Sequence, residues 1–292
     1  MKTALYTTVH PASAPYLEAF FKSVRQQTDP DFDLWVGLDG LSETALAGAP
    51  GSLGAHVVLA EPSDTPASLR GRVWEQLVTR YDALVMVDSD DLLYPERVAC
   101  AKRGLETHDV CGCALDLVAE DGTPLGLTLT APGPDPAGLL PRANVFGLSN
   151  TAYRAGVLEK TLPLPREVAV VDWLVATRAS LAGARFVFDG APRMAYRQHP
   201  DNTARVLPPC TPGQILRATR YVQEHFGHAL APPLGPEAAP FERRAAAVQR
   251  FAERVQGDVL TVYTRELNTR PQNVYLWWEC VAHEELSYLW NT

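Results

Sequence analysis

The first 90 residues alternate between two hydrophobic periods. Thr3 to Val9 reads as a strand. Leu17, Phe20, Phe21 and Val24 then recur at i, i+3, i+4 and i+7, one face of a helix. Leu34 to Leu38 is a second strand, ending at Asp39-Gly40, and His56 to Leu59 a third. Ala67 to Arg80 reads as a helix with Leu69, Val73, Leu77 and Arg80 along one stripe, and the unbroken apolar strand Ala83 to Val87 follows it. A strand of that kind suits a sheet covered by helices on both faces. The alternation predicts an α/β fold with a mostly parallel central sheet, whose ligands bind at the loops on one edge.

Beyond Asp91 the pattern loosens. Val110 to Ala119 and Leu125 to Leu129 read as partner strands around the turn Asp121-Gly122. Ala131 to Pro141, with four prolines and two glycines, reads as an irregular loop. Val168 to Leu181 reads as a helix, and Arg185 to Phe188 and Ala195 to Gln198 as two short strands. Proline clusters (Pro208, Pro209 and Pro212, then Pro232, Pro233, Pro236 and Pro240) set a boundary near 207. The expectation is a core domain over 1–207 and a mainly helical extension over 208–292. Val274 to Trp278 with Leu286, Leu289 and Trp290 carries apolar stripes at three- and four-residue spacing, which fit a helix packed on the core. Facing outward, the same helix would be a homodimer or partner surface.

Hydrophobic residues make up 46% and charged residues 21%, which excludes a disordered chain. The longest apolar runs, Ala83 to Val87 and Val274 to Trp278, fall far short of the roughly 20 residues of a membrane helix. The start has one basic residue and no sustained apolar stretch, so no secretion signal is expected. Net charge is -8, from 26 basic and 34 acidic residues, and duplex binding needs a basic face, so nucleic acid is not an expected partner. The five cysteines are scattered, and Cys111-Gly112-Cys113 lacks zinc-knuckle spacing. They read as reduced, mostly buried thiols of a cytoplasmic protein.

Asp88-Ser89-Asp90-Asp91 directly follows the buried strand. Carboxylates crowded at one strand end repel one another, and a hard divalent cation with oxygen ligands relieves that. Mg2+ or Mn2+ also neutralises phosphates, which suits a diphosphate leaving group. The alternative is a capping role, with Asp90 or Asp91 at the start of a helix near Leu92 or Pro95. Thr8 and His10 end the first strand, at the sheet edge where ligands bind, with capping of the next segment as the alternative. Asp172 opens a helix-like run between Val171 and Trp173, an apolar setting that raises a carboxyl pKa. The alternative there is a first-turn acid of the helix.

Tyr81 to Pro95 resembles the DxD segment of the inverting family 2 glycosyltransferases of the GT-A fold. Leu5 to His10 with Tyr16-Leu17-Glu18 and Ser23 to Thr28 is similar to that family's first strand and helix. Leu38-Asp39-Gly40 is similar to the end of its second strand, although Leu38 stands where many members have a second acid. In Ser68 to Arg72, Arg72 fits the family's arginine, while Val73 replaces the asparagine. Phe146 to Arg154, Val171-Asp172-Trp173 and Tyr196 to Thr203 resemble later family segments, in order, over about 1 to 205. The QxxRW segment of processive polymerases is absent.

The resemblance implies a metal-dependent transferase that moves a sugar from a nucleotide-sugar donor to a carbohydrate or other hydroxyl acceptor. It implies Mn2+ or Mg2+ as cofactor, with Asp88 and Asp90 on the ribose and metal side; His199 is a further metal or diphosphate contact, with a solvated loop histidine as the alternative. Thr8, Asp39, Arg72 and Asp88 are then donor contacts and Asp172 the base, on the face that gives inversion. Two other functions share the acidic strand end: a silent sugar-nucleotide-binding module, and a phosphatase with a nucleophilic Asp. The phosphatase wants a hydroxyl residue soon after the acid pair, where Leu92-Leu93 stands.

Overall fold

The structure, a computed structural model, describes residues 1–47, 54–200, 202–204, 206–231 and 235–291. Asp201, in the segment Tyr196 to Thr203, and Pro232 and Pro233, in the second proline cluster, lie outside the described residues. The strands are β1 (Thr3–Val9), β2 (Asp33–Leu38), β3 (His56–Leu59), β4 (Ala83–Met86), β5 (Leu92–Leu93), β6 (Val110–Val118), β7 (Pro124–Leu129), β8 (Thr151–Arg154) and β9 (Phe186–Arg197). The helices are α1 (Leu17–Arg25), α2 (Glu43–Ala47), α3 (Pro66–Leu77), α4 (Arg97–Thr107), α5 (Ala155–Glu159), α6 (Val171–Leu181), α7 (Pro212–Ala229), α8 (Ala239–Arg254) and α9 (Gly257–Asn268).

Among the described residues one nine-stranded sheet runs β3-β2-β1-β4-β8-β6-β9-β5, with β7 added along β6. The first four strands are parallel, and every residue of β1 and β4 is buried, as the unbroken apolar run of β4 requires. β8 is antiparallel to both neighbours. Between β1 and β4 the strand order switches direction, so the crevice where open α/β sheets bind ligands falls at their carboxyl ends. Those ends carry Thr8 to His10 and Asp88 to Asp91. Helix α3 starts sharply because Thr65 Oγ1 accepts from Ser68 N (3.1 Å), the Ser68 side chain answers Thr65 N, and Pro66 holds the first helical position.

Four expectations are corrected. The two short strands at 185–198 are one continuous strand, β9, bent by a bulge between Asp189 and Met194, where Gly190 and Pro192 break the alternation. Helix α3 ends at Leu77 and α6 starts at Val171, so Arg80 and Val168 lie outside them. No helix begins at Leu92 or Pro95: Leu92–Leu93 pairs with β9, α4 starts at Arg97, and neither Asp90 nor Asp91 caps it. The C-terminal aromatics do not form an α-helix. Tyr275 N donates to Val206 O (2.8 Å) and Asn144 N to Trp277 O (3.0 Å), backbone pairings that hold the segment extended. Trp278 and Ala282 take left-handed φ values of 70° and 47°, and only a 3₁₀ turn, Glu284–Leu289, follows.

That segment nonetheless packs inward, with Tyr275, Trp277, Trp278 and Trp290 buried and Tyr288 alone among its rings exposed. Helices α7 to α9 contribute Ile215, Val222, Phe251 and Tyr263 to the same apolar core as the sheet. Trp277 lies against Gly147, where an added Cβ would stand 2.8 Å from its ring. Gly147→Ala should therefore cost about 1–3 kcal/mol through overpacking, read as a lower urea midpoint. An unchanged midpoint would show that the ring moves aside freely.

Candidate active site

The turn after β4 is anchored from three sides. Ser89, 1% exposed, donates to Thr8 O (2.8 Å) and ties the turn to β1. Asp91, also 1% exposed, accepts from Arg197 N (2.8 Å) and lies within hydrogen-bond reach of Ser149 Oγ, which also approaches Asp88 Oδ2 (3.2 Å). Burial and the charges of Asp90 and Asp88 push the Asp91 carboxyl well above the usual carboxylate range. Arg197 donates from Nε to Asp90 O (2.7 Å) and from Nη1 to Glu120 O (2.6 Å), and its guanidinium lies 4.7 Å from the centre of the Tyr16 ring. Ser89, Asp91, Ser149 and Arg197 thus hold the backbone, and Asp88 and Asp90 are left at the cavity wall.

That cavity, of about 220 Å³, is lined by Thr8, Arg70, Asp88, Asp90, Asp172 and His199, and closed by Trp277 and Trp278. His199 Nε2 lies 2.9 Å from Asp90 Oδ2, and Asn202 Oδ1 accepts from His199 N (2.6 Å). Asp172, in the first turn of α6, faces the cavity from the opposite element. Burial pushes its carboxyl up to about 6, against the opposing pull of backbone N–H groups, Arg70 and the Asn144 amide (3.0 Å). Asp88 is pushed up to about 7 by burial first and the Asp90 charge second, with Arg70 opposing. Asp88 and Asp172 are both half-buried and line the cavity.

A larger recess of about 730 Å³ adjoins it, sharing Thr8, His10 and Arg70 and adding Asp39, Thr65 and Arg166. Asp39, Thr8 and His10 therefore meet on one wall. Arg72 does not join them. It is held by Asp64 and donates to Leu59 O (2.8 Å), outside both cavities. Arg70 takes the inward position, and among the described residues it forms no hydrogen bond or ion pair. The missed signal is its helical phase: Arg70 lies on the stripe with Ala67, Trp74 and Leu77, all buried. Asn144 and Ser149, which contact the carboxylates, sit in a loop without periodicity, although Ser149 falls inside a family-like segment.

Among the described residues no group of three His, Cys, Asp or Glu side chains is arranged to hold a metal ion. Asp90 and His199 offer two donors at one point, with Asp88 beside them. A cation that keeps waters and takes phosphate oxygens needs only one or two protein ligands, so the donor set fits Mn2+ or Mg2+ of that kind. A neutral imidazole suits Mn2+ better than Mg2+.

No family model and no curated protein matches the chain. Solved structures do. S. aureus TarS, residues 1–349, in complex with UDP-GlcNAc is similar at a TM-score of 0.61 and 18% identity, over 90% of this chain and 76% of that one. The mannosyltransferase PcManGT from Pyrobaculum calidifontis, in complex with GDP-Man and Mn2+, is similar at 0.56 and 14% identity, over 85% and 69% of the two chains. The chain has the GT-A fold, a central sheet flanked by helices. Among the described residues no helix is long and apolar enough to cross a membrane.

Proposed function

We propose that the protein is a metal-dependent, inverting glycosyltransferase of family 2, transferring a sugar from a nucleotide-sugar donor to an acceptor hydroxyl. One observation carries the reading: Asp88 and Asp90 from the end of β4, Arg70 from α3 and Asp172 from α6 converge on one cavity. The UDP-GlcNAc of TarS and the GDP-Man and Mn2+ of PcManGT support it, as does the order of the family-like segments. Thr8 and Asp39 line the larger recess, where the nucleoside would lie, and Arg70, which lines both cavities, would meet the diphosphate through its guanidinium fork. Bound at Asp90 and His199, with Asp88 on the ribose side, the cation would neutralise the departing diphosphate.

Asp172 is then the base. As the acceptor oxygen bonds to the anomeric carbon and the bond to phosphate breaks, the acceptor's proton passes to the Asp172 carboxylate. Attack from the side opposite the leaving group inverts the anomeric carbon. A base near 6 is ionised at neutral pH yet not too weak to take a proton. Only the carboxylate form works, so kcat with donor and cation saturating should fall as pH drops through about 6 and level off above it. A flat profile from pH 5 to 7 would remove Asp172 from that role.

The overall reading is tested by incubating the protein with a panel of nucleotide sugars and acceptors and following release of nucleoside diphosphate with and without Mn2+. Acceptor- and metal-dependent release is the expected result. Binding without turnover would make the protein a silent binding module instead.

A further inference from the structure

We propose that Asn144 is a positioning residue for Asp172, locked in orientation by the C-terminal segment; this rests on the reading of Asp172 as the base. Asn144 is fully buried, and its side-chain amide is engaged at both ends. Nδ2 donates to Asp172 Oδ2 (3.0 Å) and to Phe146 O (3.2 Å), and Oδ1 accepts from Phe146 N (2.9 Å). Turning the amide over would point an oxygen at a carboxylate and at a carbonyl, and leave a buried N–H facing an NH₂ group. Only one orientation is therefore satisfied.

The backbone of Asn144 is fixed from elsewhere in the chain. Its N–H donates to Trp277 O (3.0 Å) in a two-residue bridge. Trp277 is in turn wedged against Gly147 and packs edge-on to Tyr196, with ring centres 5.5 Å apart. The same Trp277, with Trp278, closes the cavity that Asp172 faces. The extension after 207 is thus part of the site: it closes the cavity and sets the loop that aims the base. A hydrogen bond to one carboxylate oxygen fixes the direction of the other lone pairs and favours the charged form against burial.

The test is steady-state transfer across pH for Asn144→Ala and Asn144→Asp, with the melting temperature and nucleoside diphosphate affinity of each. Asn144→Asp keeps an acceptor for Phe146 N while removing the donor to Asp172, so it decides the matter if the alanine variant does not fold. The expected result is a kcat about 10-fold or more below wild type, since small misplacements of a reacting group are costly. Nucleoside diphosphate affinity should stay within about twofold, and the acid limb of kcat should move upward from about 6, furthest in Asn144→Asp. A folded variant with wild-type kcat and an unmoved limb overturns the proposal. So does a kcat loss matched by lost nucleotide affinity, or failure of both variants to fold, since either assigns Asn144 to the fold alone. Wild-type turnover in Asp172→Asn would instead sink the base assignment itself, whatever Asn144 does.

Discussion

Asp172→Asn should bind the donor near wild-type strength and turn over about 100-fold or more slowly, the usual scale of general-base loss. The substitution keeps the size of the side chain, and the amide oxygen still accepts from Asn144 Nδ2. It also removes a carboxyl whose burial is unfavourable when charged, so the fold should not suffer. What it loses is the capacity to take the acceptor's proton. If Asp172 serves only the first turn of α6, asparagine does nearly as well there and turnover should not change. Wild-type rates in the variant would place the base elsewhere.

Asp90→Ala should abolish the Mn2+-dependent part of nucleoside diphosphate binding. Loss of a mere supporting residue costs a metal site about 10- to 100-fold in affinity, and loss of one of two protein ligands should cost at least that. The fold is insulated from this change. The Asp90 side chain bonds to His199 alone among the described residues, and the Asp90 carbonyl that accepts from Arg197 is kept by alanine. Ser89 and Asp91 continue to anchor the turn. Calorimetry showing unchanged Mn2+-nucleotide affinity would refute the metal assignment.

Much of this architecture is legible along the chain because burial writes simple periods. β4 is covered on both faces and reads as an unbroken apolar run, β1 and β2 carry apolar cores, and α1 shows its buried face in four residues. The carboxylates after β4 are legible as a group because charge directly after a buried strand requires a partner. Other features depend on contacts that no local period records. The bulge at Asp189–Met194 makes one strand look like two. The spacing of Trp277, Trp278 and Trp290 mimics a helix, but Trp277 O is taken by Asn144 N, a partner far away in sequence. Arg70 and Arg72 are near-identical in sequence context, yet 100° of helical rotation per residue separates a cavity wall from an ion pair with Asp64.

The most direct measurement is a thermal-shift titration of the wild-type protein with nucleoside diphosphates, with and without Mn2+. A ligand that binds only the folded state at 100 times its Kd adds about 2.7 kcal/mol of stability. The account predicts that at least one nucleoside diphosphate raises the Tm with Mn2+ present, and that the rise is lost in Asp90→Ala. No rise with any nucleoside diphosphate, with or without the cation, would contradict it.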